Sequence, residues 1–207
     1  MSFLDESGKP TAKAIVEGAN LYLTPGARRA LEKLGVLIIK DSSCNKGGVI
    51  CSSFEVLASL CMSEDEFLKG KIEYVKEVLA AIKKASLNEA RLLLDTHKKT
   101  GEYLTDISEK ISEKINHFKY LLLDYLEGVE LSKDPKDLLI RSLLLYCPPL
   151  LRDHHRKGVL SMPEIHKKAV IACYLASHLV YNRGIGWNPS IIDILPIIAE
   201  ESAAAKD

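Results

Sequence analysis

The sequence lacks an excess of charge of either sign, because 28 lysine and arginine residues balance 28 aspartate and glutamate residues. A domain that neutralises nucleic-acid phosphates normally carries a basic excess, so nucleic acid is not expected as a partner. Long apolar runs are also absent: the two most apolar stretches, residues 169–181 and 191–199, are interrupted by His178 and Pro196. Both are too short to cross a bilayer, and no basic segment followed by an apolar run opens the chain. These absences argue against a membrane protein and against a signal peptide.

Cysteine is present but has no regular spacing. An odd, scattered set with no C-x-x-C pair argues against a disulfide framework and is typical of reduced thiols in a cytoplasmic protein. The histidines near residue 155 fit no zinc-ligand spacing and lie in a basic segment, so we predict no metal site. The five cysteines are Cys44, Cys51, Cys61, Cys147 and Cys173.

The length and composition are those of a soluble globular protein with one ordinary domain, or with one small domain and a helical extension. The 207 residues are 47% hydrophobic and 27% charged, as in most soluble domains. A chain of this size buries roughly 70% of the surface that its unfolded form exposes. We therefore expect a core that needs neither a metal nor a disulfide.

A strand–helix–strand unit is predicted near the start of the chain. Residues 14–17 form a short apolar run, and Thr24 followed by Pro25 is typical of a helix start. Gly35 favours a left-handed helix end, and residues 36–39 follow as a second apolar run of strand length. The two strands should be parallel with a right-handed crossover. Because two strands do not make a stable sheet alone, we expect part of the sheet to lie outside this chain.

The rest of the sequence has the periodicity of helices, about eight in the whole chain. The predicted fold class is therefore mainly α with a short α/β piece, the parallel strand–helix–strand unit being followed by an extended helical region. Each helix start rests on a local signal. The signals are Gly47-Gly48, the capping boxes Ser63-x-x-Glu66, Ser86-x-x-Glu89 and Ser161-x-x-Glu164, Thr105, Asp134-Pro135 and Asn188-Pro189.

Two asparagines stand where the predicted strands end. Asn20 follows the first strand within Gly18-Ala19-Asn20, and Asn45 follows the second strand shortly before Gly47-Gly48. In open parallel sheets, ligands bind beyond the carboxyl ends of the strands. An amide offers both a donor and an acceptor there, which suits a carboxamide ring or a ribose. Paired glycines let the backbone approach a ligand and leave free N–H groups at the helix start.

These motifs resemble the end of the cofactor domain of the glutamate/leucine/phenylalanine/valine dehydrogenases. The resemblance is carried by Val16-Glu-Gly-Ala-Asn-Leu-Tyr-Leu-Thr24 and by Asp41-Ser-Ser-Cys-Asn-Lys-Gly-Gly-Val49, and the form of both is most similar to the large, NAD-specific glutamate dehydrogenases. Residues 163–172, residues 175–181 and Gly184 resemble the C-terminal helical segment of those enzymes. The resemblance implies the end of a Rossmann-type NAD-binding domain plus a hinge helix over residues 1–62, and a helical C-terminal region over residues 63–207.

The resemblance also implies roles for single residues. Asn20 and Asn45 would contact the nicotinamide half of NAD, and Gly18 and Ala19 would line the same cleft. Val49 and Ser52 would face the amino-acid substrate, with Ser52 donating a hydrogen bond to the side-chain carboxylate of glutamate. Such a bond to a charged group contributes about 1.5–3 kcal/mol. The neighbouring Ser53 does not keep the family spacing from the paired glycines.

Several parts of the family pattern are missing from this sequence. No G-x-G-x-x-G fingerprint occurs, and neither the catalytic lysine motif nor the catalytic aspartate is found, so no catalytic residue is assigned. In the family these parts lie upstream. We therefore expect this chain to be a C-terminal part of an NAD-dependent glutamate dehydrogenase and to be inactive alone. An upstream catalytic segment of the same enzyme would be its partner, and the enzyme would be a homo-oligomer. The complete enzyme would convert L-glutamate to 2-oxoglutarate and ammonia.

Two other functions remain open from the sequence. One is a non-catalytic helical interaction module that retains a remnant of a cofactor domain. The other keeps the family but replaces glutamate by a branched or aromatic amino acid. The intact Asn20 and Asn45 argue against the first alternative, and Ser52 argues against the second.

Overall fold

A computed structural model describes residues 3–190, 193, 194 and 196. It confirms a mainly helical chain with one short parallel sheet. Strand β1 is Ala14–Val16 and strand β2 is Leu37–Ile39, and the register pairs Ala14 with Leu37 and Val16 with Ile39. Helix α1, Pro25–Lys33, connects the two strands.

Local signals explain how this unit forms. Thr24 caps α1, because its Oγ1 accepts a hydrogen bond of 3.2 Å from the Ala27 N–H, and Pro25 occupies the first helical position. Gly35, with φ of +85°, supplies the left-handed turn that brings the chain back into β2. One face of the sheet packs on α1 through a small core formed by Leu23, Leu31, Val36 and Ile38, with Phe3, Ile15 and Ala27 beside it.

The opposite face of the sheet is only partly covered by the described residues. Val16 is 61% exposed and Leu37 is 40% exposed, although both belong to apolar strand sequences. Continuous apolar runs are typical of strands that are buried on both faces of a sheet. In the described part of the chain only the face that packs on α1 is buried, so the described residues account for one of the two buried faces that such strands usually have.

Eight α-helices and one π-helical turn occur in the described residues. The π-helical turn and α7 lie in a basic segment where the sequence carries no helix signal. After α1, the elements are α2 Asp41–Cys44, α3 Lys46–Cys61, α4 Glu64–Thr100, α5 Leu104–Glu127, α6 Leu138–Tyr146, the π-helical turn Leu150–His154, α7 Arg156–Ser161 and α8 Glu164–Arg183.

The capping boxes have different outcomes. Ser63 and Glu66 form the predicted box, since the Ser63 N–H donates to Glu66 Oε2 at 2.8 Å and the Glu66 N–H donates to Ser63 Oγ at 3.4 Å. The box at Ser86 and Glu89 is wrong, because α4 runs through it without interruption. Glu89 instead reaches residues far away in the sequence, and tertiary contacts prevail over the local motif.

Three other predicted helix starts are shifted. Thr105 lies inside α5 and its hydroxyl donates to Glu32 at 2.9 Å instead of capping the helix. Helix α6 is capped by Asp137, which accepts from Leu139 N–H and Ile140 N–H, and not by Asp134. Helix α8 follows Pro163 and not Ser161. Most of the helix predicted from Asn188 onward lies outside the described residues.

The described residues form two compact units. The first contains the residues up to Ile50 and Lys83–Ser112, and the second contains Cys51–Ile82 and the residues from Glu113 onward. In the second unit α6 packs against α8, and the core includes Phe118, Leu143, Leu151, Ile171 and Leu179. The predicted domain boundary at residue 62 stays a prediction. None of the helices in the described ranges is long and apolar enough to cross a membrane.

Candidate functional site

The turn that carries Asn20 is held by backbone contacts to two carboxylates. It follows β1 directly, and Leu21 within it has a φ of +56°, a left-handed conformation that is unfavourable for leucine. The Leu21 N–H donates to Asp41 Oδ2 at 2.8 Å. The Leu23 N–H donates to Glu17 Oε1 at 3.1 Å. The side chain of Asn20 is exposed at the top of this turn.

A buried ionic network connects these carboxylates. Arg28 Nε donates to Glu17 Oε2 at 2.8 Å, and the Arg28 guanidinium lies 3.2 Å from Asp41 Oδ1. Glu17 follows β1, Arg28 lies in α1 and Asp41 follows β2, so the network ties together all three elements of the unit. The sequence indicated no role for any of the three residues. The available signal was Glu17, an acidic residue at the end of an apolar strand.

The environment shifts the pKa values of two members of this network. The pKa of Asp41 is lowered mainly because the Leu21 N–H donates to its carboxylate, and burial opposes that effect. For Arg28, burial alone would lower the pKa, but the hydrogen bond to Glu17 and the charges of Glu17 and Asp41 raise it. Both shifts favour the charged forms of Asp41 and Arg28.

The two predicted asparagines are in direct contact. Asn45 Nδ2 donates a hydrogen bond to Asn20 Oδ1. The Asn45 N–H donates to the Asp41 carbonyl at 2.8 Å, which fixes Asn45 at the end of α2, one helical turn after β2. The structure therefore brings both amides together at the carboxyl ends of the parallel strands, and the sequence predicted that each of them follows a strand end.

Glu89 of α4 contacts the segment after β2 that carries Asn45. This buried carboxylate accepts from Ser43 Oγ at 2.7 Å and from Lys46 Nζ at 2.7 Å. Ser43 Oγ also lies 2.6 Å from Ser108 Oγ of α5. Residues on both sides of Asn45 are thus fixed to the helical part of the same unit. The sequence did not indicate this contact, because it joins residues 43 positions apart.

The glycines near the two asparagines face open space. A Cβ placed on Gly18 or on Gly48 would meet no neighbouring atom within 4 Å, and neither glycine has a positive φ. The fold of the chain itself therefore does not require glycine at these positions. The approach of a ligand to the backbone at this place stays a prediction. The Gly48 N–H, however, donates to the Asn45 carbonyl at 3.0 Å, so the prediction that it stays free is wrong.

The predicted substrate residues lie on one exposed face of α3. Val49 and Ser52 are three residues apart in the helix, and both are exposed. The Ser52 hydroxyl makes no hydrogen bond to any residue that the structure describes. In contrast, Ser53 Oγ lies 2.8 Å from the hydroxyl of Tyr146. Of the two serines, only Ser53 has a hydroxyl that lies within hydrogen-bond distance of another described residue.

Metal ligands do not come together in residues 3–190, 193, 194 and 196. No group of three or more histidine, cysteine, aspartate or glutamate side chains in these ranges could hold a metal ion.

Comparison with known proteins gives a consistent set of relatives. A profile of the glutamate/leucine/phenylalanine/valine dehydrogenases matches residues 4–111. The NAD-specific glutamate dehydrogenase of Saccharomyces cerevisiae is 36% identical over 204 residues, covering 90% of this chain and 18% of the yeast protein. The probable NAD-specific glutamate dehydrogenase of Schizosaccharomyces pombe is 32% identical, with the same two coverages. Glutamate dehydrogenase 2 of Dictyostelium discoideum is 33% identical, over 88% of this chain and 18% of that protein.

The chain spans less than a fifth of the length of these curated relatives. No solved structure matches it.

Proposed function

The chain belongs to the glutamate/leucine/phenylalanine/valine dehydrogenase family, and on this basis we propose that it forms part of an NAD-dependent glutamate dehydrogenase. The complete enzyme would convert L-glutamate to 2-oxoglutarate and ammonia by oxidative deamination. The observation that carries the proposal is the Asn20–Asn45 pair at the carboxyl ends of β1 and β2. The proposal assigns no catalytic residue to this chain, and catalytic groups would come from an upstream segment of the same enzyme.

The hydrogen bond between the two asparagines determines what the pair offers to a ligand. It uses one N–H of Asn45 and the Oδ1 of Asn20. Asn20 keeps both of its N–H donors, and Asn45 keeps its Oδ1 acceptor. A carboxamide has one carbonyl acceptor and an NH₂ donor, so the pair complements the nicotinamide side group of NAD. Bound NAD supplies the hydride acceptor, and the two amides would hold its ring in register with the substrate.

Gly18 and Ala19 would complete the cofactor contact. Both are exposed, and the open space at Gly18 leaves room for the cofactor to lie against the backbone. The Glu17–Arg28–Asp41 network would keep the turn from moving when the cofactor binds. Preorganisation of this kind lowers the entropic cost of holding the ring in place.

The substrate assignment rests on α3. Val49 offers an apolar contact, and Ser52 offers a hydroxyl that donates no hydrogen bond to the described residues. Glutamate carries a side-chain carboxylate that such a hydroxyl would satisfy, whereas a branched or aromatic amino acid carries none. Ser52 therefore favours glutamate over the alternative substrates of the family.

The exposed apolar face of the sheet is evidence that another polypeptide segment packs on it. Val16 and Leu37 present apolar surface that the described residues leave uncovered, and a two-stranded parallel sheet is marginal without further strands. We propose that the upstream segment of the same enzyme covers this face, that the enzyme is a homo-oligomer and that it acts in the cytoplasm. The scattered cysteines, all of them free, support the reducing location.

The cofactor assignment can be tested on the 207-residue chain itself. Titration with NAD should shift the side-chain amide NMR signals of Asn20 and Asn45 and the backbone signal of Gly18. Binding should be weak, because the sequence has no glycine-rich turn for the pyrophosphate. ADP-ribose, which lacks the nicotinamide, is the matched control and should leave the two asparagine signals unchanged. Equal shifts with both ligands, or no shift with millimolar NAD, would contradict the assignment.

The substrate assignment predicts a change of specificity in Ser52→Val. The test protein is the yeast enzyme in which this chain replaces the matching segment. Loss of the hydroxyl leaves the glutamate carboxylate without a donor, at a cost of about 1–3 kcal/mol, so kcat/KM for glutamate should fall roughly tenfold to a hundredfold relative to leucine. Ser59→Val, at an exposed serine of the same helix, should not change this ratio. If Ser52→Val leaves the ratio unchanged as well, Ser52 does not face the substrate.

A further inference from the structure

Four large apolar side chains form an exposed stripe along the first half of α4. Leu68, Ile72, Val75 and Leu79 are 58%, 89%, 44% and 60% exposed. Their spacing of four, three and four residues is the heptad spacing of a helix–helix interface. A single exposed apolar residue needs no explanation, but a contiguous row of four marks an interaction surface. We call these four residues the α4 stripe.

An apolar groove of about 520 Å³ lies directly beside the α4 stripe. Phe54 and Ala58 of α3 form one wall together with Met62, which directly follows that helix, and Val75 and Leu79 of the stripe contribute to the other. The groove has a fixed base, because the hydroxyl of Tyr74 on α4 donates to the Phe54 carbonyl on α3 at 2.6 Å. All of these residues belong to the second unit. The groove and the stripe together are a concave apolar surface bounded by two helices.

The charges around this surface are arranged asymmetrically. Lys69, Lys71 and Lys76 flank the α4 stripe at the positions that border a heptad seam. None of the three forms an ion pair with another described residue. The acidic groups at the groove are Glu55 on the α3 side and Glu64 at its end. The edge along α4 is therefore basic, and the edge along α3 is not.

We propose that the α4 stripe and its groove bind an amphipathic helix of another polypeptide segment, one with an apolar face and acidic residues along the edge that meets α4. Helix-in-groove recognition uses this combination of apolar anchors and flanking charges. The surface from Glu64 to Leu79 is about 24 Å long at 1.5 Å per residue, which is room for about four helical turns. A second copy of this chain fits poorly, because pairing two stripes in either direction places lysines opposite lysines.

The proposal is tested with two labelled peptides and the full 207-residue chain. Both are 18-residue amphipathic helices with leucine at the heptad seam, one with glutamate and the other with lysine at the flanking positions. Fluorescence anisotropy should show at least tenfold tighter binding of the glutamate peptide. Ile72→Glu should abolish that binding. The double variant Lys69→Glu with Lys76→Glu should reverse the preference in favour of the lysine peptide.

The substituted residues are exposed, so each variant should retain the circular dichroism spectrum and thermal midpoint of the parent. Failure of the glutamate peptide to bind at about 1 mM would overturn the proposal, and so would equal binding of both peptides. A concentration-dependent dimer that Ile72→Glu disrupts would show that a second copy covers the surface. Sedimentation with phosphatidylserine vesicles that Ile72→Glu removes would identify a membrane surface instead. None of these readouts depends on NAD or glutamate.

Discussion

Replacing Glu17 by alanine should lower the free energy of unfolding of the first unit by about 3–5 kcal/mol, because the substitution breaks a buried ion pair on one side. Glu17 is 3% exposed and accepts hydrogen bonds from Arg28 and from the Leu23 N–H. In the variant the buried guanidinium of Arg28 keeps only Asp41 as a partner, and the Leu23 N–H loses its acceptor. Urea unfolding followed by circular dichroism measures the loss.

Two control variants separate charge from hydrogen bonding. Glu17→Gln keeps a side-chain oxygen for the Leu23 N–H but removes the charge, so its effect should lie between those of the parent and Glu17→Ala. Glu6→Ala removes an exposed carboxylate and should change stability by less than about 0.5 kcal/mol. A Glu17→Ala chain as stable as the Glu6→Ala chain would show that the network does not stabilise the turn.

The second large effect is expected at Gly158, where any side chain collides with backbone. A Cβ at this position would lie 2.2 Å from the Cys61 carbonyl oxygen and 2.9 Å from the Cys61 Cα. Backbone atoms cannot rotate away as a side chain does, so α7 and the end of α3 must separate. Gly158→Ala should destabilise the second unit by about 3 kcal/mol, although alanine is the better helix former by up to about 1 kcal/mol. The thermal midpoint should fall by about 6–12 °C.

The matched control is Gly48→Ala, the same substitution in another helix. A Cβ at Gly48 meets no atom within 4 Å, so helix propensity should prevail and stability should rise by up to about 1 kcal/mol. Opposite signs for the two variants, measured by differential scanning calorimetry, are the expected result. Equal midpoints would mean that α7 and α3 do not approach each other as closely as the structure shows.

The α/β unit could be predicted from sequence nearly residue by residue because its signals are local. Thr24, Pro25 and Gly35 each act on the chain within a few residues of their own position, and two short apolar runs define the strands. The same holds for Ser63 and Glu66, whose capping box involves only neighbouring residues. These motifs could be predicted correctly because each of them depends only on residues that are close in the sequence.

Two of the failed helix-start predictions involve contacts between distant residues. Ser86 and Glu89 have the spacing of a capping box, but Glu89 is buried against Ser43 and Lys46, and α4 continues. Thr105 has the composition of a helix cap, but Glu32 takes its hydroxyl. No local pattern encodes these pairs, since each partner is separated from the other by more than 40 residues.

In the candidate site, too, the features with local signals could be predicted and the contacts between distant residues could not. Asn20 and Asn45 could be predicted as a pair because each follows a strand end, and parallel topology then places them at one edge. The residues that hold them in place could not be predicted. Glu17, Arg28 and Asp41 have no sequence spacing that indicates mutual contact, and their network emerges only when α1 packs on the sheet.

The hydrogen bond between Asn20 and Asn45 has a consequence for discrimination between closely similar dinucleotides. In the proposed binding mode, Asn45 Oδ1 accepts a hydrogen bond from the NH₂ of the ring substituent. A deamidated analogue carries a carboxylate there, with acceptors only. Two oxygens without a proton between them repel, and the site loses a hydrogen bond that it is built to make. The carboxamide and the carboxylate have nearly the same shape. Rejection of the acid form would therefore come from the direction of the hydrogen bond from Asn45 to Asn20, which leaves an acceptor facing the ligand, and not from the size of the pocket.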